Sequence, residues 1–549
     1  MNLAPSSGNK SKEVKMQPPS MAEWLSGKDI LITGATGFMG TVLVEKLLRC
    51  FPNLNRLYLI VRNHKNLDPD DRIKKFMQNE AFGPLLAMHP DAVDKVTVIP
   101  GNISENGCGI SKEHQQILKE NVAIVFHVAA SVRFDDSLTK AVKVNVKSTY
   151  ELLEMAKNFE KLEVFEYVST AYSNFNLQEE VGENVYPCHL EWMDLLGLVD
   201  KEEETLNALQ GTHSNTYVLA KSLAEKVVAN FSSEGIPAVI IRPSVVIPAI
   251  RHPLPGWTNN LNGPAGVLAG ICKGFLRVFP CNPDVKLAVV PVDLAIDGFL
   301  VAAWSRRFLD DGNLQVFNQS YNDEIEISIG SMINEGTRKN EEDPFEISMW
   351  YPMYFLTKNF ILFKIIFFFW QIIPALISDL LLQLSGKTSI VSKITKRLYR
   401  TCEVTYDFLS KENKFSNAKF RKIFEKLNSD DQEHFELAVR AVGFDFNHYS
   451  HCFVNGVRRY FFHEKDDNRD YRKTIYKRMF YIHTATKILL LSFASLLTFH
   501  CGQRHPQLSR TNIAQKIFAA EDPGAGDSYD ELGASTLRPG EERRSVKPG

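Results

Sequence analysis

No two of the eight cysteines are separated by two residues, so the spacing of a zinc site is missing and no disulfide framework is indicated. Free thiols suit a reducing compartment. Charge of one sign is also missing: the formal net charge is −2, which gives no general attraction to nucleic acid. Residues 1–20 are polar and hold no apolar core, so no secretory signal is read there. The final residues, Val546-Lys547-Pro548-Gly549, carry no Ser-Lys-Leu peroxisomal address. No Lys-Ser or Lys-Thr pair follows the one glycine-rich turn, which argues against a phosphate-gripping ATPase loop. No metal site is expected.

That turn organises what is present. The apolar run Asp29–Ile32 enters Thr33-Gly34-Ala35-Thr36-Gly37-Phe38-Met39-Gly40, and an amphipathic helix over 41–50 leaves it. Strand, glycine turn and helix together favour dinucleotide binding. Gly34 supplies a positive φ, Gly37 allows a pyrophosphate near the backbone, and Gly40 allows close helix packing. The helix N-terminus offers free N–H groups to phosphate.

With 549 residues the chain holds more than one domain. Strands are expected at 56–61, 96–100, 122–127, 162–169 and 238–241, and helices at 71–77, 141–158 and 216–232. This alternation implies a doubly wound parallel sheet covered on both faces, with ligands beyond the carboxyl ends of its strands. Thr33, Arg62, Asn102, His127, Ser169 and Arg242 stand at those ends. At the end of the second strand Val61-Arg62-Asn63-His64-Lys65 offers cations and no carboxylate. A guanidinium there suits a 2′-phosphate, which favours NADPH over NADH. Small residues at Ala129 and Ala130 let a cofactor lie near the backbone. His127 reads as a hydrogen-bonded structural histidine, and Asn145 as a residue holding a water or a backbone group.

Tyr217-Val218-Leu219-Ala220-Lys221 puts a phenol and an ammonium on one helical face. A nearby cation lowers a phenol from about 10 and makes proton exchange with a carbonyl oxygen feasible. The same spacing recurs at Tyr354–Lys358. Position assigns the chemistry to the first, because it follows Val168-Ser169-Thr170, whose hydroxyls can reach the same carbonyl.

Thr33–Gly40, Val168–Tyr172 and Tyr217–Lys221 together resemble the extended short-chain dehydrogenase/reductase family. More narrowly, the chain resembles alcohol-forming fatty acyl-CoA reductases over about 25–465. Glu45–Arg49, His127–Phe134, Pro255-Gly256-Trp257, Asn262-Gly263-Pro264 and Val290–Asp293 are further matches. The resemblance implies a Rossmann-type α/β domain and reduction of a long-chain acyl-CoA to a primary alcohol and CoA. Two NADPH are consumed, through an aldehyde. It makes Thr170, Tyr217 and Lys221 catalytic, with Ser169 a second candidate for the hydroxyl. The residues expected at the cofactor are Gly34, Thr36, Gly37, Phe38, Met39, Gly40, Arg62, Asn102, Ala129, Ala130, Lys221, Arg242 and Pro243. Asn102 departs from the family's aspartate, and its amide oxygen can still accept the adenine amino group. Rival readings are a sterol or nucleotide-sugar enzyme of the same fold, a reductase that stops at the aldehyde, and a non-catalytic acyl-CoA-binding membrane protein.

The expected organisation is a disordered leader over 1–24 and a reductase region over 25–348. A helical domain over 349–465, a membrane anchor over 479–499 and a disordered tail over 500–549 follow. Residues 253–279 read as an acyl channel, with Arg251, Lys273 and Arg277 as candidates for CoA phosphates. The apolar run 365–384 is long enough to cross a bilayer, but Pro374 and Asp379 argue for an element that dips into the membrane. Arg469, Arg472, Lys473, Lys477 and Arg478 flank the anchor and would keep the preceding domain cytosolic, at the endoplasmic reticulum or the peroxisome.

Overall fold

The computed structural model describes residues 18–62, 68–134, 136–175, 179–199, 205, 209, 215–309, 312–321, 326–435 and 444–504. The leader over 1–17, His64 and Lys65, and the tail beyond 504 lie outside them. The described chain opens earlier than expected. Ser20 caps a short helix α1, Met21–Leu25, in a reciprocal capping box with Glu23, and Met21 and Leu25 are fully buried.

Seven strands follow: β1 Asp29–Thr33, β2 Arg56–Val61, β3 Val96–Pro100, β4 Val122–His127, β5 Val164–Val168, β6 Ala238–Pro243 and β7 Gln315–Gln319. They form one parallel sheet in the order β7-β6-β5-β4-β1-β2-β3. The order reverses between β1 and β4, so ligands belong at the carboxyl ends of that pair. Alternate residues of β1 serve opposite layers: Ile30 and Ile32 join one apolar cluster and Leu31 the other. Helix α2 (Phe38–Cys50) and α5 (Val292–Phe308) contribute to the first layer, and α4 (Thr216–Ser233) to the second. Between α2 and α4, α3 spans Pro69–Met77. The expected 141–158 helix is interrupted: Leu138–Ala141 and Ser148–Ala156 flank a π-type turn, Val142–Lys147, which carries Asn145.

Glu166, at the centre of β5, is fully buried and neither carboxylate oxygen has a hydrogen-bond partner. Burial raises its pKa well above the ordinary value, so the folded protein holds a proton there that the unfolded chain releases above about pH 4.5. Folding stability is therefore lost as pH rises, by about 1.4 kcal/mol per pH unit until the folded group ionises. Glu166→Met removes this slope. Its Tm advantage over the wild type is expected to be small near pH 5 and to widen by pH 7.

Described residues between 349 and 480 pack on the sheet domain. Within the unit ending at Phe480, Val278–Pro280 pairs with Phe355–Thr357, and Glu180–Val181 pairs with Lys414–Phe415. Gly256 has φ 74° and stands so close to the backbone at Cys452 that a Cβ would lie 1.9 Å from the carbonyl oxygen. The Pro-Gly-Trp motif therefore seats the later helices on the earlier sheet. The apolar run is longer than expected: α6 spans Phe360–Leu384 through a π-type turn at Phe368–Ile372, and Pro374 does not end it. Proline cannot donate to the Trp370 carbonyl four residues back, and Arg277 Nη1 donates to it instead at 3.0 Å. Helix α7, Val391–Ser410, runs back from the end of α6. The last helix, α8, spans Arg469–Arg504 and covers the expected anchor. Its Arg472 is not a free flanking cation: it is buried and donates to Asp343 at 2.6 Å.

Candidate active site

Gly34 has φ 72°, and a Cβ there would lie 2.8 Å from the Ala129 backbone. A Cβ on Gly40 would lie 2.2 Å from the Gly34 carbonyl oxygen, so this glycine closes the turn on itself. Gly37 starts α2 without a side-chain cap, and with Thr36 it is exposed, while Phe38 and Met39 are half-buried. The first N–H groups of α2 therefore have no partner within the helix. Such a cradle fits a pyrophosphate. Ala130 is half-buried beside Ala129 at the end of β4.

A buried hydrogen-bonded path leads from this turn to Lys221. The Ala129 N–H donates to Thr33 Oγ1 at 3.1 Å, and Thr33 lies 2.7 Å from His127 Nδ1. His127 Nε2 lies 3.0 Å from Thr149, whose hydroxyl donates to the Asn145 carbonyl at 2.8 Å. Burial, then the Lys221 charge, lowers His127 to about 3, so the ring is neutral and structural. Tyr167 is hydrogen-bonded to Thr149, and Lys221 Nζ donates to the Tyr167 hydroxyl at 3.2 Å and to the Val168 carbonyl at 2.7 Å. Burial lowers Lys221 to about 7, against an opposing pull from Glu225. The Asn145 amide holds a backbone group, clamping Ser131 by accepting its N–H at 2.8 Å and donating to its carbonyl at 3.1 Å.

Tyr217 lies in the first turn of α4, which is capped by Asn215 through the Val218 N–H at 2.9 Å. Its hydroxyl is hydrogen-bonded to Thr170 at the end of β5. The sequence expectation that an ammonium lowers this phenol does not hold in the structure. Burial raises it, Thr170 partly opposes that, and the Glu225 carboxylate adds to it, while Lys221 is directed at Val168 and Tyr167. The group stands as a proton donor. The second Tyr-Lys spacing is unsuited to the same role: Phe355–Thr357 is a strand, Tyr354 donates to Asn334 at 2.6 Å, and Lys358 pairs with Asp284 at 2.9 Å.

Ser169 donates to Glu225 rather than facing Tyr217. Arg242 is a correction. It is fully buried, and its donors go to Glu225 (2.8 and 2.6 Å), Gly182 (3.1 Å), Asn184 (2.7 Å) and Asn318 (3.4 Å), leaving none for a cofactor. Pro243 is likewise buried in β6, in register with Gln319. The Asn102 side chain is engaged in its own turn, donating to Glu105 at 2.7 Å and accepting from the Ser104 N–H at 3.3 Å. Lys273 pairs with Glu464 at 3.2 Å under the ring of Phe462, and Arg277 is held at Trp370, so neither cation is free for CoA. Arg62 is exposed at the end of β2.

The structure gives contacts to residues that the sequence named only within a motif or not at all. Arg72 on α3 donates to the Arg62 backbone carbonyl, which brings its guanidinium to the end of β2. Phe134 meets the Tyr217 ring edge-on at 5.5 Å and stacks on Phe408 of α7 at 5.6 Å. Phe408 also stacks on Phe175 at 4.4 Å. The family pattern at His127–Phe134 marked Phe134, but nothing local marks Phe408. Trp257 stacks on Phe38 at 5.7 Å.

The family described as male sterility protein matches twice, its NAD-binding region over 32–299 and its Sterile region over 370–464. The terminal R domain of the myxalamid biosynthetic pathway shares the fold at a TM-score of 0.52 and 18% identity, over 79% of this chain and 90% of that one. A reductase domain of a nonribosomal peptide synthetase from Mycobacterium tuberculosis does so at 0.51 and 17%, over 81% and 93%. These likenesses give the fold, and the NAD-binding region of the family, which spans the glycine turn, supports a nicotinamide cofactor. Among curated relatives, fatty acyl-CoA reductase wat of Drosophila melanogaster is 31% identical, over 88% of this chain and 93% of its own. Fatty acyl-CoA reductase 1 of Xenopus laevis is 33% identical over 81% and 87%. Fatty acyl-CoA reductase 2 of Homo sapiens is 32% identical over 87% and 93%. An oxidoreductase, the chain belongs to the fatty acyl-CoA reductase family.

Proposed function

We propose that the protein reduces long-chain acyl-CoA to the primary alcohol and free CoA, consuming two NADPH through an aldehyde. The observation that carries the reading is the buried path from Thr33 at the glycine turn to Lys221, with the Tyr217 hydroxyl on Thr170 one turn away on the same helix. When bound, the nicotinamide supplies the hydride for each reduction. Negative charge that develops on the thioester oxygen is stabilised by the Tyr217 and Thr170 hydroxyls. Tyr217 delivers the proton, collapse of the hemithioacetal releases CoA, and the aldehyde carbonyl then meets the same two hydroxyls. Lys221 holds the cofactor ribose, and the N–H groups of Phe38, Met39 and Gly40 hold the pyrophosphate. The Phe134–Phe408 stack shields the reacting carbonyl from water.

NADPH is preferred because Arg62 is exposed at the end of β2 and Arg72 reaches the Arg62 backbone carbonyl, so two cations are available there for a 2′-phosphate. Replacing both by serine is expected to raise KM for NADPH about tenfold to a hundredfold, with little change for NADH. Anchoring through 479–499 to the endoplasmic reticulum or the peroxisome, with the 25–348 region facing the cytosol and the 349–465 helices following it, completes the reading. It is supported by an 18-residue apolar window within Asp466–Leu496, of mean hydropathy 1.3.

The deciding experiment incubates detergent-solubilised protein with NADPH and acyl-CoAs of several lengths. Two NADPH oxidised per alcohol is expected. One per aldehyde selects the shorter reaction, and none at any length overturns the reading.

A further inference from the structure

Helix α6 is amphipathic in an inverted sense: its inner face is pinned to the protein and its outer face is bare hydrocarbon. Phe363, Phe367, Gln371, Ala375 and Asp379 are buried at intervals of four residues. In an unbroken α-helix that stripe would drift by about 160° over its length, at about 100° per residue. The π-type turn at Phe368–Ile372 takes up one residue and brings most of the stripe back into line. Two polar members fix it. Gln371 donates to the Phe275 carbonyl and accepts the Arg277 N–H at 3.3 Å. Asp379 accepts the N–H groups of Val391 and Ser392, both at 2.9 Å, at the start of α7. To cross a bilayer, the helix would have to abandon these partners and carry Asp379 into hydrocarbon.

On the opposite side Ile361, Ile365, Phe369, Leu376, Leu380 and Leu384 are each more than half exposed. An 18-residue window of the helix has a mean hydropathy of 2.2. A soluble surface rarely leaves such a stripe open. Charge says what covers it. From Asn359 to Cys402 the chain carries the exposed cations Lys364, Lys387, Lys393, Lys396, Arg397 and Arg400, and its one carboxylate, Asp379, faces inward. An apolar stripe on a stretch with an excess of exposed cations matches acyl chains beneath anionic headgroups. Protein partners usually meet a stripe that carries charge of both signs, and a second copy would set these cations against their own kind. Helix α7 starts at this surface and, about 25 Å on, brings Phe408 in its last turn against the aromatic group around Tyr217.

We propose that the outer face of α6, with the cations of α7, is a monotopic docking surface for an anionic bilayer, separate from the C-terminal anchor. It lays the protein flat on the membrane, so that one helix links the lipid surface to the reducing site. The last clause rests on the proposed acyl-CoA reduction.

The test uses the full-length protein on vesicles whose acyl chains are brominated. Trp370 is on the outer face, and its emission is obtained by difference from Trp370→Phe. Bromolipid is expected to quench at least half of that emission in vesicles containing phosphatidylserine, and high salt to weaken the effect. No quenching overturns the proposal, and so does a helix that is shielded by a second copy, seen as an oligomer that Leu380→Glu dissolves. Equal quenching in purely zwitterionic vesicles overturns the anionic specificity. Phe369→Glu with Leu380→Glu is expected to lower turnover of vesicle-borne long-chain substrate about tenfold and to leave a soluble short-chain acyl-CoA unaffected. Quenching without any NADPH oxidation sinks the proposed reaction and leaves the docking surface standing.

Discussion

Tyr217→Phe is expected to lower kcat for acyl-CoA reduction by about two to four orders of magnitude while leaving KM for NADPH within about threefold. The substitution removes one hydroxyl and keeps the ring that Phe134 meets edge-on, so the aromatic packing and the fold persist. It costs the developing oxyanion a donor and the departing charge its proton source. Thr170→Val removes the neighbouring hydroxyl and should lower kcat by a smaller factor, because Tyr217 still donates. Lys221→Met is expected to act mainly through the cofactor, since the ammonium is directed at Val168 and Tyr167 rather than at the phenol. Steady-state kinetics with NADPH varied at saturating acyl-CoA separates the three. A Tyr217→Phe protein that keeps its turnover would remove the phenol from the chemistry and revive the reading of a lipid binder that retained the fold. The pH profile carries a second readout. Burial raises the Tyr217 phenol above its ordinary value, so its donor form persists from pH 6 to pH 9. A fall in rate at mildly alkaline pH therefore has to be traced to Lys221, whose value near 7 lies inside that range.

The parts of this arrangement that were legible in the sequence are those written in short-range pattern. The glycine turn, the apolar strands and the Tyr-Lys face each lie within a dozen residues, where periodicity and backbone freedom speak directly. The doubly wound parallel sheet and the place of Thr33, Thr170 and Lys221 at its strand ends follow from them, whereas the edge strand Gln315–Gln319 was not read from the sequence. The misread residues are cations whose partners are far away along the chain. Lys273 finds Glu464 across 191 residues, and Arg472 finds Asp343 across 129, so nothing near either cation announced that it was taken. Phe408 escaped for the same reason. Arg242 is different, because its partner was readable. Tyr217, Lys221 and Glu225 are spaced by four along one face of α4, so the helix that carries the phenol also carries a carboxylate buried beside it. A buried carboxylate requires a cation, and the strand-end arginine supplies it.

Arg242→Met is accordingly a stability prediction and not a cofactor prediction. The guanidinium is enclosed and bonds both oxygens of Glu225, at 2.8 and 2.6 Å. Removing it leaves a carboxylate in the interior with the hydroxyls of Ser169 and Ser173 for hydrogen bonds and no cation bonded to it among the described residues. Breaking such a pair from one side costs about 3–5 kcal/mol, a large part of the stability of a folded domain. The Gly182 and Asn184 carbonyls lose their donor as well, which loosens the segment that reaches the later helices through Lys419. Replacing both partners removes the unpaired charge, so Glu225→Gln combined with Arg242→Met is expected to recover much of the loss, and the double-mutant cycle to show coupling of about 2 kcal/mol or more. Thermal unfolding of the solubilised protein and its three variants measures this, with KM for NADPH taken on whatever remains folded. An arginine that held the cofactor would give the opposite result, an unchanged Tm and a raised KM, with no rescue from the second substitution.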